Sequence, residues 1–376
     1  MQSFKNYLKF TQTKVGLVFA CVVPLLFVLI WMTGYQGATE RIDQLNAALV
    51  NEDGEQGLTV QEHIEQNAPF HVDVLNSSEE AQSLMNEGRY VMVIVIPEGF
   101  NETIHSSHSA DLTFYVNQGN ADIAKTIAEQ AAVQISTEVG QGISAELNSA
   151  VDKTLEEFLS SPVQVKLVQT NQIGDFATSM LPMILGFITY IAMMTANIQF
   201  NISSMMMKRS HPKWQIFWSR QFLLLCISVI VPLIVDGVAL LFTDASSPYG
   251  QLYIYHVLVF LACACFTQMA FALFGNAGPL FNVAMVPLQL MTAGNIIPAD
   301  MLTPFYRHIG SFLPAPNGIQ GFMRLIYSGS PVSVFAIHLL LICIATWGIT
   351  LLRVALQKEL APKPTGATGQ VQAGAH

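Results

Sequence analysis

The sequence predicts an α-helical integral membrane protein with six transmembrane helices, arranged as one and then five. An α+β extracytoplasmic domain is inserted between helices 1 and 2. Three observations predict this. The 376 residues are 52% hydrophobic and 11% charged, about half the charged share of an ordinary soluble domain. Six apolar runs are long enough to cross a hydrocarbon core of roughly 30 Å, for which about 20 helical residues suffice. Charge is also segregated: of 26 acidic and 17 basic residues, positions 35–175 hold 22 acidic and 5 basic. An acidic segment joined to a basic membrane portion puts the two on opposite sides of a bilayer and argues against nucleic acid as a partner.

The elements follow in chain order. Residues 1–14 combine Phe4, Tyr7, Leu8 and Phe10 with Lys5, Lys9 and Lys14, an amphipathic elbow suited to the cytoplasmic leaflet surface. Residues 15–34 are the first span; the run is too long for a signal peptide's apolar region and lacks a small-residue cleavage site, so it reads as a retained anchor. Residues 35–175 form the extracytoplasmic domain. Within it Val72–Leu75, Tyr90–Ile96, Leu112–Val116 and Val163–Val168 read as strands, with Ala48–Val50 a weaker one. The β-branched run Val91–Ile96 suits a strand covered on both faces. Ser78–Ala81 opens a short helix that stops at Gly88. Asn120–Ser160 carries one apolar stripe at helical spacing, with Gly140 and Gly142 expected to kink it. Such a helix fits a stalk or dimer contact, or two shorter helices laid on the sheet.

Residues 176–357 hold the other five spans: Met180–Phe200, Phe222–Phe242, Tyr253–Phe274, Leu280–Ile297 and Val334–Leu352. Segment 298–331, broken by prolines and glycines yet half apolar, suits re-entrant helices in the outer leaflet. The tail 358–376 is of disordered composition. Lys208, Arg209, Lys213, Arg220, Arg353, Lys358 and Lys363 gather on one side with the N-terminal lysines, whereas Arg307 and Arg324 stand on the other. Basic loops mark the cytoplasmic side, so both termini are expected there, in a bacterial cell membrane. The 5 cysteines all lie in apolar runs and read as buried structural residues.

Catalytic signatures are absent. No G-x-x-x-x-G-K-[ST] occurs, so any ATP hydrolysis belongs to another chain; no H-E-x-x-H, C-x-x-C or G-x-S-x-G occurs either. His105 and His108 read as residues of a Ser-rich solvated loop. Neither an enzyme, a metal site nor a cofactor is expected.

Two groups of residues carry a resemblance. Ala48-Leu49-Val50-Asn51-Glu52-Asp53-Gly54, then Gly88, Tyr90 and the run Val91 to Phe100, then Phe114 to Asn120, are similar in order and type to the YhgE/Pip family of bacterial membrane proteins. Thr292 to Pro298, Pro304, Leu313-Pro314, Asn317-Gly318 and Arg324 resemble the wider ABC-2 type permease superfamily. The resemblance implies a permease subunit of an ATP-driven exporter, working as a homodimer or heterodimer with a separate ABC ATPase subunit. The family also includes phage receptors and secretion-linked proteins, which keeps a non-transporting surface scaffold open.

Several residues are candidates for function. Lys208, Arg209, Lys213, Trp214, Phe217 and Trp218 form the candidate ATPase-coupling loop, with the aromatics on one face of a short helix after Pro212. That face either docks on the ATPase or lies at the lipid headgroups. Asp236 is the acidic residue inside a span, where a charge costs about 2.5–3.5 kcal/mol. His338 enters the last span at a similar depth, which makes the two a candidate pair, read either as a proton-linked export site or as an outer-leaflet salt bridge. Gln268, Asn282 and Gln289, with Asn295 and Pro298 at the outer turn, are candidate path or gate residues, or else interhelical hydrogen-bonding groups.

Overall fold

The computed structural model describes residues 30, 33, 38–107, 109–150, 162–171, 173, 176–208 and 211–357. The expected elbow 1–14, nearly all of the first span 15–34, His108, residues 151–161, Arg209 and the tail 358–376 lie outside the described residues.

A five-stranded mixed sheet has the order β2-β1-β3-β4-β5. Its strands are β1 (Asn46–Asn51), β2 (His71–Leu75), β3 (Met92–Ile96), β4 (Ala110–Asn117) and β5 (Val163–Thr170). β1 runs parallel to both β2 and β3, β3 is antiparallel to β4, and β4 is parallel to β5. Leu49 registers with Ile94, Ile94 with Phe114, and Phe114 with Leu167. β3 is buried along its whole length, as its unbroken apolar run requires when both faces are covered. The weak strand signal at Ala48–Val50 belongs to a full six-residue strand beside it, buried at its four central positions.

Helix α1 (Leu58–Asn67) packs Val60 and Ile64 on the face formed by Leu49, Ile94 and Phe114. On the other face, Ala81 and Met85 of α2 (Ser78–Asn86) cover Ala48, Val50, Val93 and Val95. Ser77 caps α2 by accepting from the Glu80 amide, and Gly88 ends it with φ +78°. α3 (Phe100–Ser107) was not legible in the sequence; His105 sits in this helix, not in a loop. Its start is held by Asp53, whose two carboxylate oxygens accept from the amides of Gly99 at 2.7 Å and Asn101 at 3.0 Å. Asp53→Ala is expected to cost about 1 kcal/mol, as loss of a helix cap does, and to quicken amide exchange selectively across 99–107. Unchanged exchange there would refute the cap.

α4 (Asp122–Ala150) runs unbroken through Gly140 and Gly142, which corrects the expected kink. Ala124, Ala128, Ala131, Ala132, Ile135 and Val139 are buried, and α4 lies on β4 and β5. The two glycines serve close packing: a Cβ on Gly142 would stand 2.9 Å from the His63 ring, and one on Gly140 3.4 Å from Pro162.

The helical bundle begins with α5 (Phe176–Met207), α6 (Lys213–Ala239) and α7 (Tyr249–Phe274). It continues with α8 (Gly278–Met291), α9 (Pro304–Gly310), α10 (Pro314–Met323) and α11 (Ser333–Leu356). Among the described residues four helical segments are long and apolar enough to cross a bilayer: Thr178–Met207, Lys213–Ala239, Tyr249–Met291 and Ser333–Leu356. The third folds back on itself. The Asn282 amide donates to the Thr267 carbonyl at 3.1 Å, and fifteen residues of straight helix would separate them by about 22 Å. Gly275, at φ +56°, makes the reversal.

The expected span Leu280–Ile297 falls on the return arm of this hairpin, where the helix ends earlier than the sequence indicates, at Met291. Its helix, α8, has 14 residues, about 21 Å, and the chain leaves helical geometry at Thr292. Phe222, Ile234, Leu241, Ile254, Ile344 and Leu352 are each at least 60% exposed. An apolar belt of this kind suits lipid and not water. α10 instead is buried among α5, α7 and α11.

Candidate functional site: the polar core of the bundle and its two ends

Polar side chains in the bundle are buried in pairs and chains that join helices. Asp236 of α6 and His256 of α7 are 0% and 1% exposed. Their Oδ1 and Nδ1 atoms lie 2.6 Å apart. His256 Nε2 lies 2.9 Å from Thr189 Oγ1 on α5, and the ring packs against Phe260 and Phe322. A carboxylate, an imidazole and a hydroxyl thus tie three helices together, while Asp236 Oδ2 is buried without a hydrogen-bond partner. The structure does not pair Asp236 with His338. His338 Nδ1 instead lies 3.0 Å from Asn317 Oδ1 on α10.

Farther from the sheet, Asn197 of α5 donates to the Ala264 carbonyl and to Thr267 Oγ1, and accepts from the Arg220 guanidinium at 2.6 Å. Gln268 accepts from Gln221, which in turn accepts from the indole of Trp347. Asn282 bridges the α7–α8 hairpin, and its carbonyl accepts from Tyr190. Gln289 accepts from the Ala315 amide in the first turn of α10, satisfying a donor the helix leaves open. Gln268, Asn282 and Gln289 are thus all interhelical ties, each at most 3% exposed. Asn295 lies elsewhere, in a small crevice with Asn120, Lys125, Ser179 and Tyr327. Pro298 is buried and opens the short turn Ala299–Met301.

At the sheet end, Tyr327 lies over Gly119, where a Cβ would meet the Tyr327 side chain at 2.8 Å, and its hydroxyl donates to the Ser179 carbonyl. Ser328 donates to the Asn86 carbonyl, and Arg324 stacks on Phe335 at 4.8 Å. The sheet is thereby seated on the π-helical turn Arg324–Ser328 that follows α10.

At the opposite end, the aromatics after Pro212 belong to the first turns of the long helix α6, not to a separate short helix. Phe217 is 4% exposed, packed between Trp214, Trp218 and Trp347, so it does not share an outward face. Trp214 and Trp218 remain 37% and 55% exposed. Lys213 donates to the carbonyls of Ala355 and Gln357 at the end of α11. Lys208, Lys213, Arg220 and Arg353 line a cavity of about 230 Å³ between α5, α6, α7 and α11.

His256, Thr189 and Thr267 escaped sequence reading. The signal for His256 was available, because an ionisable side chain inside an apolar span needs a partner, the criterion that singles out Asp236. Which of the histidines answers Asp236 depends on helix packing.

Comparison with known proteins gives three matches. A family model described as "ABC-2 family transporter protein" matches residues 14–354. The uncharacterized protein YhgE of Bacillus subtilis (strain 168) is 27% identical over 183 residues, 48% of this chain and 23% of that protein. The chain thus aligns with less than a quarter of that relative's length. A crystallised domain assigned to an ABC type-2 transporter of Thermotoga maritima MSB8 matches 33% of this chain and 84% of that domain, at 16% identity and a TM-score of 0.29.

Proposed function

Because the chain belongs to the ABC-2 transporter family, we propose that it is the membrane-spanning permease subunit of an exporter. In this reading it moves an amphipathic or hydrophobic compound out of a bacterial cell, driven by a separate ABC ATPase subunit. The family match along nearly the whole chain carries the reading. The structure supports it with long apolar helices joined by buried polar ties and a short helix, α10, enclosed in their midst.

The end bearing Lys208, Lys213 and Arg353 faces the cytoplasm by the distribution of positive charge, and the sheet lies outside. The ATPase docks at the cytoplasmic end, where Trp214 and Trp218 project. The permease pairs with a second permease copy, identical or related. Replacing Trp214 and Trp218 together with alanine is expected to lower recovery of the ATPase with the purified permease at least tenfold. A deletion strain is expected to accumulate the exported compound, and intact cells should release the sheet domain to protease while retaining a C-terminal tag. Undiminished ATPase recovery with a folded double variant removes the docking assignment.

A proton-linked exporter is the competing drive. The enclosure of Asp236 and His256 supports a fixed tie between helices more than a carboxylate in contact with solvent on either side. Asp236→Asn is accordingly expected to leave the pH dependence of transport unchanged. A flattened pH profile in that variant would favour the proton drive.

A further inference from the structure

The cavity at the end remote from the sheet gathers four cations among apolar and neutral polar side chains. Lys208, Lys213, Arg220 and Arg353 line it, and among the described residues no carboxylate does. None of the four makes a salt bridge among the described residues. Three of them are held by carbonyl oxygen. Lys213 and Arg353 donate to backbone carbonyls at the ends of α11 and α7, and Arg220 donates to Asn197. Three helices, α5, α7 and α11, end at this cavity, and their C-terminal dipoles make concentrated positive charge tolerable.

That compensation is partial. Each C-terminus supplies roughly half a charge, so three offset less than half of four cations. Arg220 Nε is buried with no hydrogen-bond partner among the described residues, an unusual state for a donor that ordinarily finds one. The volume of about 230 Å³ far exceeds the roughly 10–15 Å³ a single water needs. Ile216, Met205 and Leu273 add an apolar wall, and Met205 and Leu273 are also open to the surroundings at 43% and 44% exposure.

We propose that this cavity binds a phosphate-bearing anion, seated on Arg220 and ringed by Lys208, Lys213 and Arg353. Phosphate fits better than a carboxylate because its oxygens can engage an arginine fork and separate ammonium groups at once. Basic pockets between membrane helices recognise phospholipid headgroups on the same physical basis, and the apolar wall offers a place for the acyl chain. The proposal concerns the free permease and does not depend on its transport role or its ATPase.

The test uses the full chain in neutral detergent, reading the fluorescence of the tryptophans clustered at this end. One arm titrates short-chain phosphatidylglycerol, a second inorganic phosphate, and a third a short polyglutamate peptide. Saturable binding of phosphatidylglycerol alone assigns a lipid headgroup; binding of inorganic phosphate as well assigns a free phosphate anion. Lys208→Gln and Arg353→Gln are each expected to weaken binding about fivefold, the worth of one basic residue near an anionic lipid surface. Arg307→Gln, at the sheet end, is expected to change nothing. Arg220→Lys, which keeps the charge and loses the fork, is expected to weaken binding more than fivefold. Binding by the peptide alone, or phosphate affinities equal in the native chain and the Lys208 and Arg353 variants, overturns the proposal.

Discussion

Replacing His256 with alanine is expected to cost about 3–5 kcal/mol of folding stability, the usual penalty for stripping one partner from a buried ionic pair. The Asp236 carboxylate would then stand in an apolar bundle with neither oxygen paired, since Oδ2 already has no partner. The loss also removes the link from α7 to Thr189 on α5, whose hydroxyl keeps only the Leu185 carbonyl of its own helix. Asp236→Asn should cost much less, because a neutral amide can still meet the imidazole and leaves no charge behind. Combining His256→Phe with Asp236→Leu should recover much of the stability, as apolar replacements of buried ion pairs often do. Equilibrium unfolding of the full chain in mixed micelles measures all three. A His256→Ala variant as stable as the native chain would show that the tie contributes nothing.

Gly321→Val is the second change expected to be severe. A Cβ built on Gly321 overlaps the Tyr255 side chain, and that tyrosine's hydroxyl donates to the Asn317 carbonyl at 2.6 Å in the same helix. α10 can therefore sit on α7 only where residue 321 has no side chain. A Cβ on Gly186 of α5 would likewise overlap Ile319 of α10, so α10 has no free direction in which to retreat. Overpacking of this kind costs typically about 1–3 kcal/mol. Here it also misplaces the turn Arg324–Ser328 on which the sheet rests. The expected result is loss of folded protein in size-exclusion chromatography, with partial recovery when Tyr255→Ala opens space. Normal folding of Gly321→Val without that second change would contradict the close seating of α10.

The strands of the sheet were largely readable, because β-branched runs such as Val91–Ile96 have one low-energy use when both faces must be covered. β1 was readable only in part, since Ala47 and Ala48 carry little strand signal and owe their place to pairing with β2 and β3. Gly140 and Gly142 misled for a related reason. Their intrinsic cost to a helix is real, but packing against His63 and Pro162 outweighs it. Leu280–Ile297 starts as a helix as expected, but hydropathy measures composition and not where a helix stops, and helical geometry ends at Met291. In the candidate site, Asp236 was identifiable from sequence while its partner was not. A helix's ionisable residue announces the need for a partner, and only the rotation and depth of neighbouring helices choose between His256 and His338.

The amino-acid order by itself determined the class of this protein: long apolar helices, a strand-bearing acidic segment, and basic residues gathered away from it. Those properties follow from the free energy of transferring individual side chains and backbone groups between water and hydrocarbon, which is local and additive. Tertiary structure alone decided that α7 and α8 form a hairpin, that Asp236 meets His256 and Thr189, and that four cations from separate helices enclose one cavity. Those outcomes depend on how close two helix backbones can approach, a property set jointly by side chains far apart in the chain.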